Sequence, residues 1–424
     1  MRKKIWILNH YASTMFYEKG GRHMWFAENL IKAGYEPIIF CSSFLHNSDG
    51  VQFIEGDEPY RVEELNGVKY VLLKTDAYVG NGKARLLNMA QYMRACMKHA
   101  NTFAKEFGRP DVVWGSSVHP LAIVAAIKLG KRFKCKTIGE VRDLWPETLI
   151  MFGSLKPEGL ITRCMYAGEK WLYKSCDDMI FTMEGGPQYI KDMGWEKQIP
   201  MSKCHYINNG IDLAQFDERS KDAYADEDLD SDKYKIVYTG TIALYNAIDK
   251  IIDSAEILQR EYPEYADRIS ILIYGRGKDE QLIRDMCKEK GISNVIIKGF
   301  VPKKQIPYIL TKCDMTLVNY ATDVPCPEHD VFKYGNSGNK FFEYLAAGKP
   351  VCFALPCAYS IVEHYDCGVV LSEDSSAAAL AKAITEIYDW PEDKLKAVYE
   401  NARQGAEDFD FKKLTEKLIE VIER

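Results

Sequence analysis

Short apolar runs alternate with amphipathic helical patterns along the whole chain. After the first run come a loop, Gly20-Gly21 and a helical pattern from about Met24 to Ala33, which Gly34 closes. The runs that predict strands in the first half are Ile5–Asn9, Pro37–Cys41, Val68–Leu73, Asp111–Gly115, Thr137–Glu140, Met179–Thr182 and Cys204–Ile207. Those of the second half are Ile236–Tyr238, Ile269–Tyr274, Val295–Ile297, Met315–Val318, Val351–Phe353 and Val369–Leu371. Strands separated by helices predict an α/β fold with doubly wound parallel sheets.

Length and a break in this pattern predict two domains. A chain of 424 residues is long for one domain. The polar turn Asn208–Asp212 is followed by an acidic segment, so we place the boundary there. Residues 1–207 are predicted to form one Rossmann-like domain and residues 208–424 another, whose last helix can pack back on the first. Ligands bind at the carboxyl ends of strands in such sheets, so we expect the two sheets to face a cleft that holds the site.

Composition excludes several classes of protein. Hydrophobic residues make up 47% of the chain and charged residues 27%, as in soluble globular proteins. No run of about 18 apolar residues predicts a membrane span, and no secretory signal is expected before Ile5. The twelve cysteines include no Cys-x-x-Cys pair, so we expect free thiols in a reducing cytoplasm and neither a metal site nor a cofactor.

Charge is distributed unevenly. Residues 1–205 contain 28 Lys+Arg and 22 Asp+Glu, and the remaining residues contain 27 and 39. The excess of cations in the first half indicates either an anionic partner or chance surface charge. Residues 82–109 carry six Lys or Arg against Glu106, and an apolar helical face is formed by Leu86, Leu87, Met89, Met93 and Met97. They predict either a helix on the inner face of the cell membrane or a helix that faces the core. No nucleic-acid partner is expected.

The most informative motif is Tyr334–Pro350, a Gly-rich loop that runs into a short amphipathic helix. Ser337 or Asn339 is placed to cap the start of this helix, and Gly348 with Pro350 ends it. Backbone N–H groups at a helix start bind anions, and Lys340 adds a positive charge there. Glu343 lies on the same face and could hold ribose hydroxyls. The alternative is a solvated helix start.

Two glycine motifs follow predicted strands. Gly20-Gly21 would allow a ligand to approach the backbone, with Arg22 and His23 placed to meet a phosphate, or it is simply a turn. Gly275-Arg276-Gly277 follows a strand, but Glu280 breaks the G-x-G-x-x-G pattern, which argues against a nicotinamide dehydrogenase. The chain also has no Gly-Lys-Ser or Gly-Lys-Thr, so a Walker nucleotide hydrolase is not expected.

Charged or titratable residues also follow two strands of the first half. His119 comes after the strand Asp111–Gly115, where it could donate to a substrate hydroxyl. Glu140 and Arg142 leave the next strand and would either face the cleft or form an internal salt bridge. The Asp-x-Asp patterns, in Asp226–Asp232 and at Asp408/Asp410, are interpreted as solvated surface.

Several of these segments are similar to one known family. They are Ile7–Tyr11, Gly20–His23, Ser116–Pro120, Glu140–Pro146, Asn209–Asp212, Tyr238–Gly240, Gly299–Pro302 and Tyr334–Pro350. In order and spacing they resemble family-4 glycosyltransferases of the GT-B fold, and within them the WbuB-like group of cell-surface polysaccharide enzymes.

The resemblance implies a retaining transferase with a UDP-sugar donor on the second domain and the acceptor on the first. It implies that Glu343 holds the ribose, that the turn containing Phe300 meets the base, and that the loop before Lys340 holds the diphosphate. The implied donor-binding residues are Gly240, Thr241, Gly275, Arg276, Gly277, Phe300, Val301, Ser337, Gly338, Asn339, Lys340, Phe341 and Glu343. Those assigned to the acceptor or a phosphate are Gly20, Gly21, Arg22, Glu140 and Arg142. His119, at the donor sugar, and Lys340 are the catalytic residues.

The sequence departs from the family at four positions. Gly335 stands where many members have the first Glu of Glu-x7-Glu, and Thr241 and Asn246 stand where an Arg and a Lys are usual. Gly338 replaces a Pro expected in the WbuB-like group. These departures leave Lys340, with Arg276 or Arg142, to bind phosphate.

The expected activity is metal-independent transfer of a sugar, with an N-acetylated hexosamine as the expected one, to a lipid-linked or saccharide acceptor in cell-surface polysaccharide synthesis. Two alternatives remain: a UDP-sugar epimerase of the same fold, and a non-catalytic subunit that binds sugar nucleotides.

Overall fold

The computed structural model describes residues 2–46, 48, 50–80, 82–117, 119–371 and 373–424. The chain forms two compact units. Unit 1 comprises Met1–Asn208, Glu328–Val331 and Phe411–Arg424, and unit 2 comprises Asn209–Pro327 and Phe332–Asp410. Asn209 is therefore the residue at which unit 2 begins.

Unit 1 is built on an eight-stranded sheet. Its strands are β1 Lys4–Leu8, β2 Glu36–Ser42, β3 Tyr60–Leu65, β4 Val68–Leu73, β5 Val112–Ser116, β6 Lys136–Val141, β7 Asp178–Phe181 and β8 Cys204–Tyr206. Their order is β3-β4-β2-β1-β5-β6-β7-β8, and the pairs are parallel except β3 with β4. The predicted parallel sheet is confirmed, and β3 is an additional edge strand.

Unit 2 is built on a six-stranded sheet with parallel pairing throughout. Its strands are β9 Tyr234–Thr239, β10 Ile269–Tyr274, β11 Val295–Gly299, β12 Met315–Asn319, β13 Val351–Ala354 and β14 Gly368–Val370. Their order is β11-β10-β9-β12-β13-β14. The six strands predicted for the second half are those that form, with bounds shifted by a few residues.

Helices cover the faces of both sheets. In chain order they are α1 Ala12–Glu18, α2 Arg22–Lys32, α3 Lys83–Glu106, α4 Leu121–Phe133, α5 Glu147–Met151, α6 Leu160–Ser175, α7 Gly186–Asp192, α8 Leu213–Arg219, α9 Ile248–Glu261, α10 Pro263–Ala266, α11 Glu280–Glu289, α12 Ile306–Lys312, α13 Asn339–Ala347, α14 Ile361–His364, α15 Ala377–Tyr388, α16 Glu392–Asp408 and α17 Phe411–Glu423. α1 occupies the segment predicted as a loop before Gly20. Over the described ranges, no helix is both long and apolar enough to cross a membrane.

The core of unit 1 explains the apolar face of α3. Met89 is buried, and Met93 and Met97 pack against a cluster that contains Trp6 and Phe103. The core-facing alternative therefore accounts for these three methionines. Leu86 and Leu87, at the start of the helix, are 60% and 55% exposed.

The last helix completes unit 1. α17 packs on α2, where the ring of Phe411 lies 4.9 Å from that of Trp25 and 5.0 Å from that of Phe26. The side chain of Lys136 in β6 donates to the carbonyl of Val421 in α17. These contacts cover an aromatic surface that would otherwise be exposed, and burial of such rings is a large favourable term.

The strand order of each sheet reverses at one place, between β1 and β5 in unit 1 and between β9 and β12 in unit 2. Connections from the two strands at such a point run to opposite faces of the sheet and leave a crevice at the carboxyl ends of the strands. Open α/β sheets bind ligands in this crevice. These two switch points are therefore where functional side chains are expected.

Candidate active site

Helix α13 starts beside the switch point of unit 2. Its N-cap is Gly338, with no side-chain cap, so the expectation that Ser337 or Asn339 caps it is wrong. The loop is instead held by Asn336, whose Oδ1 accepts from the N–H of Gly338 at 2.7 Å, and by Asn209, whose Nδ2 donates to the carbonyl of Ser337 at 2.6 Å. The carbonyl of Ser337 is thus held by a side chain, and in the first helical turn the N–H of Phe341 donates to the carbonyl of Gly338 at 3.2 Å. The earlier N–H groups of a helix have no acceptor within it, and such a start is chemically suited to an anion.

Lys340 projects from this first turn between two tyrosine rings. Its Nζ lies 3.3 Å from Oη of Tyr238 and 4.3 Å from the centre of that ring. The centre of the Tyr320 ring is 5.0 Å away. Tyr238 belongs to β9 and Tyr320 follows β12, so the pair flanks the switch point. Burial lowers the pKa of Lys340 to about 7, and no carboxylate pairs with it in the described parts of the chain.

The other end of α13 is as predicted. Gly348 has a left-handed conformation with φ of +69° and ends the helix. Tyr344, one turn after Lys340, is buried, and its hydroxyl accepts from the backbone N–H of Thr239 at 2.8 Å. Tyr344 thereby fastens α13 to the end of β9, a role that sequence reasoning missed.

The predicted donor residues around α13 differ in exposure. Glu343 is half-buried, whereas Phe341 is buried and packs on Phe353, 5.9 Å between ring centres. The side chain of Phe341 therefore belongs to the core, and its backbone N–H, 3.2 Å from the carbonyl of Gly338, lies in the loop. Phe300 is 58% exposed after β11, and the guanidinium of Arg276 lies 4.7 Å from its ring centre. An exposed ring of this kind can stack on a nucleobase.

Glycines in unit 2 let two neighbouring loops approach each other. A Cβ on Gly275 would lie 1.7 Å from the carbonyl oxygen of Gly240, and one on Gly277 would lie 1.8 Å from that of Ile242. The N–H of Gly240 donates to the backbone carbonyl of Tyr274, and the N–H of Ile242 donates to the backbone carbonyl of Arg276, both at 2.9 Å. Gly275 and Gly277 are therefore required by backbone contact between the loops, whether or not a phosphate also lies there.

The four residues that depart from the pattern of the resembled family are tied to local structure. The carbonyl of Thr241 accepts from Oη of Tyr238 at 3.1 Å and from Nδ2 of Asn246 at 2.8 Å, so Asn246 holds the loop after β9. Gly335 has φ of +111°, a conformation that strains a side chain such as Glu. Gly338 is close to Tyr320, because a Cβ at this position would lie 2.7 Å from the tyrosine hydroxyl.

His119 lies at the switch point of unit 1, and its neighbour Val118 is outside the described residues. Nε2 of His119 is 2.8 Å from Nδ1 of His10, which follows β1. His10 is stacked between Tyr11 and Tyr92, at ring-centre distances of 4.5 and 4.7 Å. Burial lowers the pKa of His119 to about 3 and that of His10 well below its usual range, and a proton on His10 would also be repelled by one on His119. Both rings are therefore neutral at pH 7, and one donates to the other. Sequence reasoning missed His10, although its position directly after β1 was a signal.

A cavity of about 220 Å³ opens beside His119. Its apolar walls include Leu121, Trp145 and Trp171. The carboxyl of Glu169 also lines it and accepts from the hydroxyls of Tyr173 at 2.6 Å and Tyr189 at 2.7 Å. Burial raises the pKa of Glu169 to about 8, so this carboxyl is largely protonated at neutral pH.

Arg22 and Glu140 are enclosed in unit 1. Nε of Arg22 lies 3.2 Å from Oε1 of Glu140, and the two residues are 3% and 0% exposed. Arg22 also donates to the carbonyls of Ile207 and Asn208. Burial alone would raise the pKa of Glu140, but the charge of Arg22, followed by His23, holds it well below its usual range. The sequence left open a salt bridge between Arg142 and a carboxylate; the ion pair found at Glu140 is instead with Arg22.

Arg142 and the glycine pair remain beside this ion pair. Nε of Arg142 is buried and has no hydrogen-bond partner among the described residues. Its backbone N–H donates to Oγ of Ser117 at 3.0 Å. Gly21 has φ of +136°, and a Cβ there would lie 2.8 Å from Cγ of Met15, so the turn itself requires a glycine. Gly20 is buried next to it. Arg22 is thus enclosed by its ion pair, whereas Nε of Arg142 has no hydrogen-bond partner among the described residues, so Arg142 remains the candidate phosphate residue of unit 1.

The Asp-rich segment is not simply solvated. Asp226 is buried, accepts from Nζ of Lys298 at 2.7 Å and from the hydroxyl of Tyr274 at 2.9 Å. The interpretation of this segment as surface was wrong at Asp226, because its charge is paired internally. No group of three or more His, Cys, Asp or Glu side chains that could hold a metal ion occurs in the stretches that the structure covers.

Comparison with known proteins agrees with this architecture. Residues 220–405 match the family described as glycosyl transferases group 1. No curated protein matches the sequence significantly. Among solved structures, the E. coli trehalose-6-phosphate protein bound with UDP-2-fluoro glucose is 11% identical, with a TM-score of 0.71 over 100% of this chain and 99% of that one.

Two further structures are similar over their full length. The Anabaena protein HepE in complex with UDP is 13% identical, with a TM-score of 0.64 over 100% of both chains. WaaG, a glycosyltransferase involved in lipopolysaccharide biosynthesis, is 16% identical, with a TM-score of 0.64 over 99% of both chains. These similarities show that the chain has the GT-B fold. Together with the family match, they support a glycosyltransferase of the GT-B type.

Proposed function

We propose that this protein is a retaining glycosyltransferase that uses a UDP-sugar donor. The observation that carries the proposal is Lys340, a cation without a carboxylate partner in the described chain, at the start of α13 beside the switch point of unit 2. UDP or a UDP-sugar analogue is bound to two proteins of similar fold. The leaving diphosphate gains negative charge as the sugar–oxygen bond breaks, and a preorganised cation with oriented amides stabilises that charge.

We assign the remaining donor contacts by chemistry. Glu343 accepts from the ribose hydroxyls, and the exposed ring of Phe300 stacks on the base. His119 is a neutral ring and so acts as a hydrogen-bond partner of the donor sugar rather than as a charged acid. No side chain is assigned as general base, because the leaving phosphate can deprotonate the acceptor.

The acceptor is proposed to be lipid-linked, with a plain saccharide as the alternative, and the transferred sugar to be an N-acetylated hexosamine for a cell-surface polysaccharide. The apolar cavity beside Glu169 supports a lipid-linked acceptor, because it can take an apolar group but offers few polar contacts to a sugar. WaaG, of similar fold, is a glycosyltransferase of lipopolysaccharide biosynthesis. We place the reaction in the cytoplasm, with contact to the inner membrane face through the first turn of α3.

Catalysis is proposed to need no divalent metal, since Lys340 and the start of α13 supply the positive charge. Turnover in the presence of excess chelator tests this. We expect unchanged rates, and a loss of activity that magnesium or manganese restores would contradict it.

Two substitutions in α13 test the main proposal. Lys340→Ala should lower kcat on the order of 100- to 1,000-fold, because it removes charge stabilisation at the breaking bond. Glu343→Ala should mainly raise the donor KM, by the equivalent of roughly 1.5–3 kcal/mol, because the ribose is remote from that bond. Lys349→Ala, just beyond the other end of the helix, is the matched control and should leave both constants unchanged. A normal kcat for Lys340→Ala at saturating donor would contradict the proposal.

A non-catalytic nucleotide-sugar-binding protein is the second candidate. It is favoured by Gly335, Thr241 and Asn246, which replace a Glu and two cations of the family. UDP binding without turnover on any acceptor would support it. Incubation with a UDP-sugar and no acceptor tests the epimerase alternative, because an epimerase changes the sugar whereas a transferase at most hydrolyses it slowly.

A further inference from the structure

The surroundings of Lys340 contain aromatic rings where an ion pair would be expected. The side chain is half-buried, and Tyr238 and Tyr320 present ring faces to its Nζ at 4.3 and 5.0 Å. A ring face attracts an ammonium group more weakly than a carboxylate does, and it does not neutralise the charge. The two rings therefore hold the ammonium group of Lys340 in place but do not neutralise its charge.

The two tyrosines pack closely against the loops that are predicted to bind the donor. A Cβ on Gly240 would lie 3.2 Å from Oη of Tyr238, and one on Gly338 would lie 2.7 Å from Oη of Tyr320. Each ring thus occupies the space that a side chain in the adjacent loop would take. Gly338, which stands where Pro was expected, is explained by the presence of Tyr320.

We propose that Tyr238 and Tyr320 are positioning residues that keep Lys340 without a fixed counter-charge, so that binding of the donor diphosphate draws a proton onto it. The inference rests on the proposed function and adds that Lys340 takes up a proton when the donor binds. The lowered pKa of Lys340 agrees with it, because a fraction of the amines is neutral near pH 7. An anion beside Nζ stabilises the ammonium form, so the proton is taken from solvent when the donor binds.

The two rings that contact Nζ of Lys340 carry no charge at neutral pH, and the lowered pKa of Lys340 is caused by burial, although Glu343 lies three residues further along α13. From β9 it meets Tyr238, and after β12 it meets Tyr320. Tyr245, from the loop after β9, acts electrostatically on both rings, and Tyr344 of α13 acts on Tyr238. Burial raises the pKa of Tyr238 well above its usual value and also raises that of Tyr320, so both remain protonated. Lys340 is thus the group of this cluster that titrates near neutrality.

The direct test is donor affinity against pH, measured by calorimetry with UDP-N-acetylglucosamine, whose diphosphate diester does not titrate in the range used. Donor affinity should hardly change with pH near pH 6 and should be roughly 30-fold weaker at pH 8.5, because each pH unit above the pKa of Lys340 lowers the protonated fraction about tenfold. Titration in two buffers of different ionisation enthalpy should show proton uptake near pH 7.5. A flat profile without proton uptake would overturn the inference, whereas absence of binding to any nucleotide sugar at any pH would overturn the proposed function.

Three variants separate the roles of the amine and the rings. Lys340→Arg carries a permanent charge, so its donor affinity should lose the pH dependence. Tyr320→Glu gives Lys340 a fixed counter-charge, and it should bind donor more weakly with a flat profile. Tyr320→Phe keeps the ring and should keep the profile of the unchanged protein. Tyr265→Phe, which removes a surface hydroxyl bonded to Asp389, is the control.

A measurement on the protein without nucleotide keeps the inference testable on its own. The NMR signals of 13C-labelled lysines, with Lys340→Arg for assignment, should show one lysine that titrates near pH 7. A Lys340 that stays protonated to pH 9 would overturn the inference even if donor binding could not be measured.

Discussion

Replacement of Arg22 by Ala should destabilise unit 1 rather than weaken ligand binding. Arg22 was predicted from sequence to meet a phosphate or the acceptor, but its guanidinium is enclosed with Glu140 at 3.2 Å. The substitution leaves the carboxylate of Glu140 buried, beside Ser116 at 2.9 Å and His23 at 3.4 Å and under the electrostatic influence of Arg142. It also leaves the carbonyl of Ile207 without this donor.

The expected loss can be estimated from these contacts. Breaking a buried ion pair by removing one partner costs about 3–5 kcal/mol. For a domain of roughly 150–250 residues, each kcal/mol lowers the melting temperature by about 2–4 °C. Arg22→Ala should therefore lower the melting temperature of unit 1 by roughly 6–20 °C at pH 7.

The stability difference between Arg22→Ala and the unchanged protein should depend on pH in a defined direction. In the unchanged protein the pKa of Glu140 is held below its usual range, so its contribution to stability is present above the unfolded pKa and is lost as pH falls. Without Arg22, burial raises that pKa, and the variant regains stability as pH falls and the carboxyl becomes protonated. The difference between the two proteins should be largest at pH 7 and smaller at pH 5.

Thermal and urea unfolding followed by circular dichroism provide the assay. Arg61→Ala, which breaks an exposed pair with Glu58, is the control and should change stability by less than about 1 kcal/mol. The double variant Arg22→Ala with Glu140→Gln should recover part of the loss, because the stranded charge is gone. If Arg22→Ala melted within 2 °C of the unchanged protein while its donor or acceptor KM rose tenfold, the enclosed ion pair would be refuted and the original assignment restored.

Three other predictions follow from single contacts. Gly338→Ala should raise the donor KM, because overpacking against the hydroxyl of Tyr320 costs ~1–3 kcal/mol; steady-state kinetics should show partial recovery when Tyr320→Phe is added, and no recovery would contradict the contact. In melting experiments, the stability of Glu169→Gln relative to the unchanged protein should increase as the pH rises from 5 to 8. The reason is that the pKa of Glu169 is raised to about 8, so keeping this carboxyl protonated costs more free energy at higher pH. A stability difference that did not change with pH would count against this. Leu86→Asp with Leu87→Asp should reduce flotation with anionic but not neutral liposomes, and equal absence of the unchanged protein from both would end the proposal of membrane contact.

Burial on both faces explains why most of the fold could be predicted from sequence. Strands such as Ile269–Tyr274 are continuous apolar runs, because helices cover both sides of a parallel sheet. The edge strand Tyr60–Leu65 was missed because it is half-exposed and carries charges that blur its alternation. Helix Ala12–Glu18 was missed because it buries only its first two residues and ends at Lys19 in a left-handed conformation rather than at a glycine.

The site was predictable where its chemistry is local. Lys340 and its helix start lie in one short motif, so the sequence indicated an anion site directly. Two other features depend on strands that only the fold brings together. One is the position of Tyr320 beside Lys340, and the other is the pairing of His10 with His119. The same holds for Arg22, whose partner Glu140 lies more than a hundred residues away along the chain. Spacing along the chain carries no information about such contacts.

The position of α17 has a consequence for how the protein is made. Unit 1 is closed by Phe411–Glu423, but residues 209–410 are synthesised before that helix. At about 5–20 residues per second, the ribosome needs roughly 10–40 s to make them. Over that interval unit 2 can fold, while the rings of Trp25 and Phe26 on α2 still lack their cover. The earlier-made half of the protein is thus the later one to finish folding, and a nascent chain stalled before residue 411 would present an aromatic surface to chaperones.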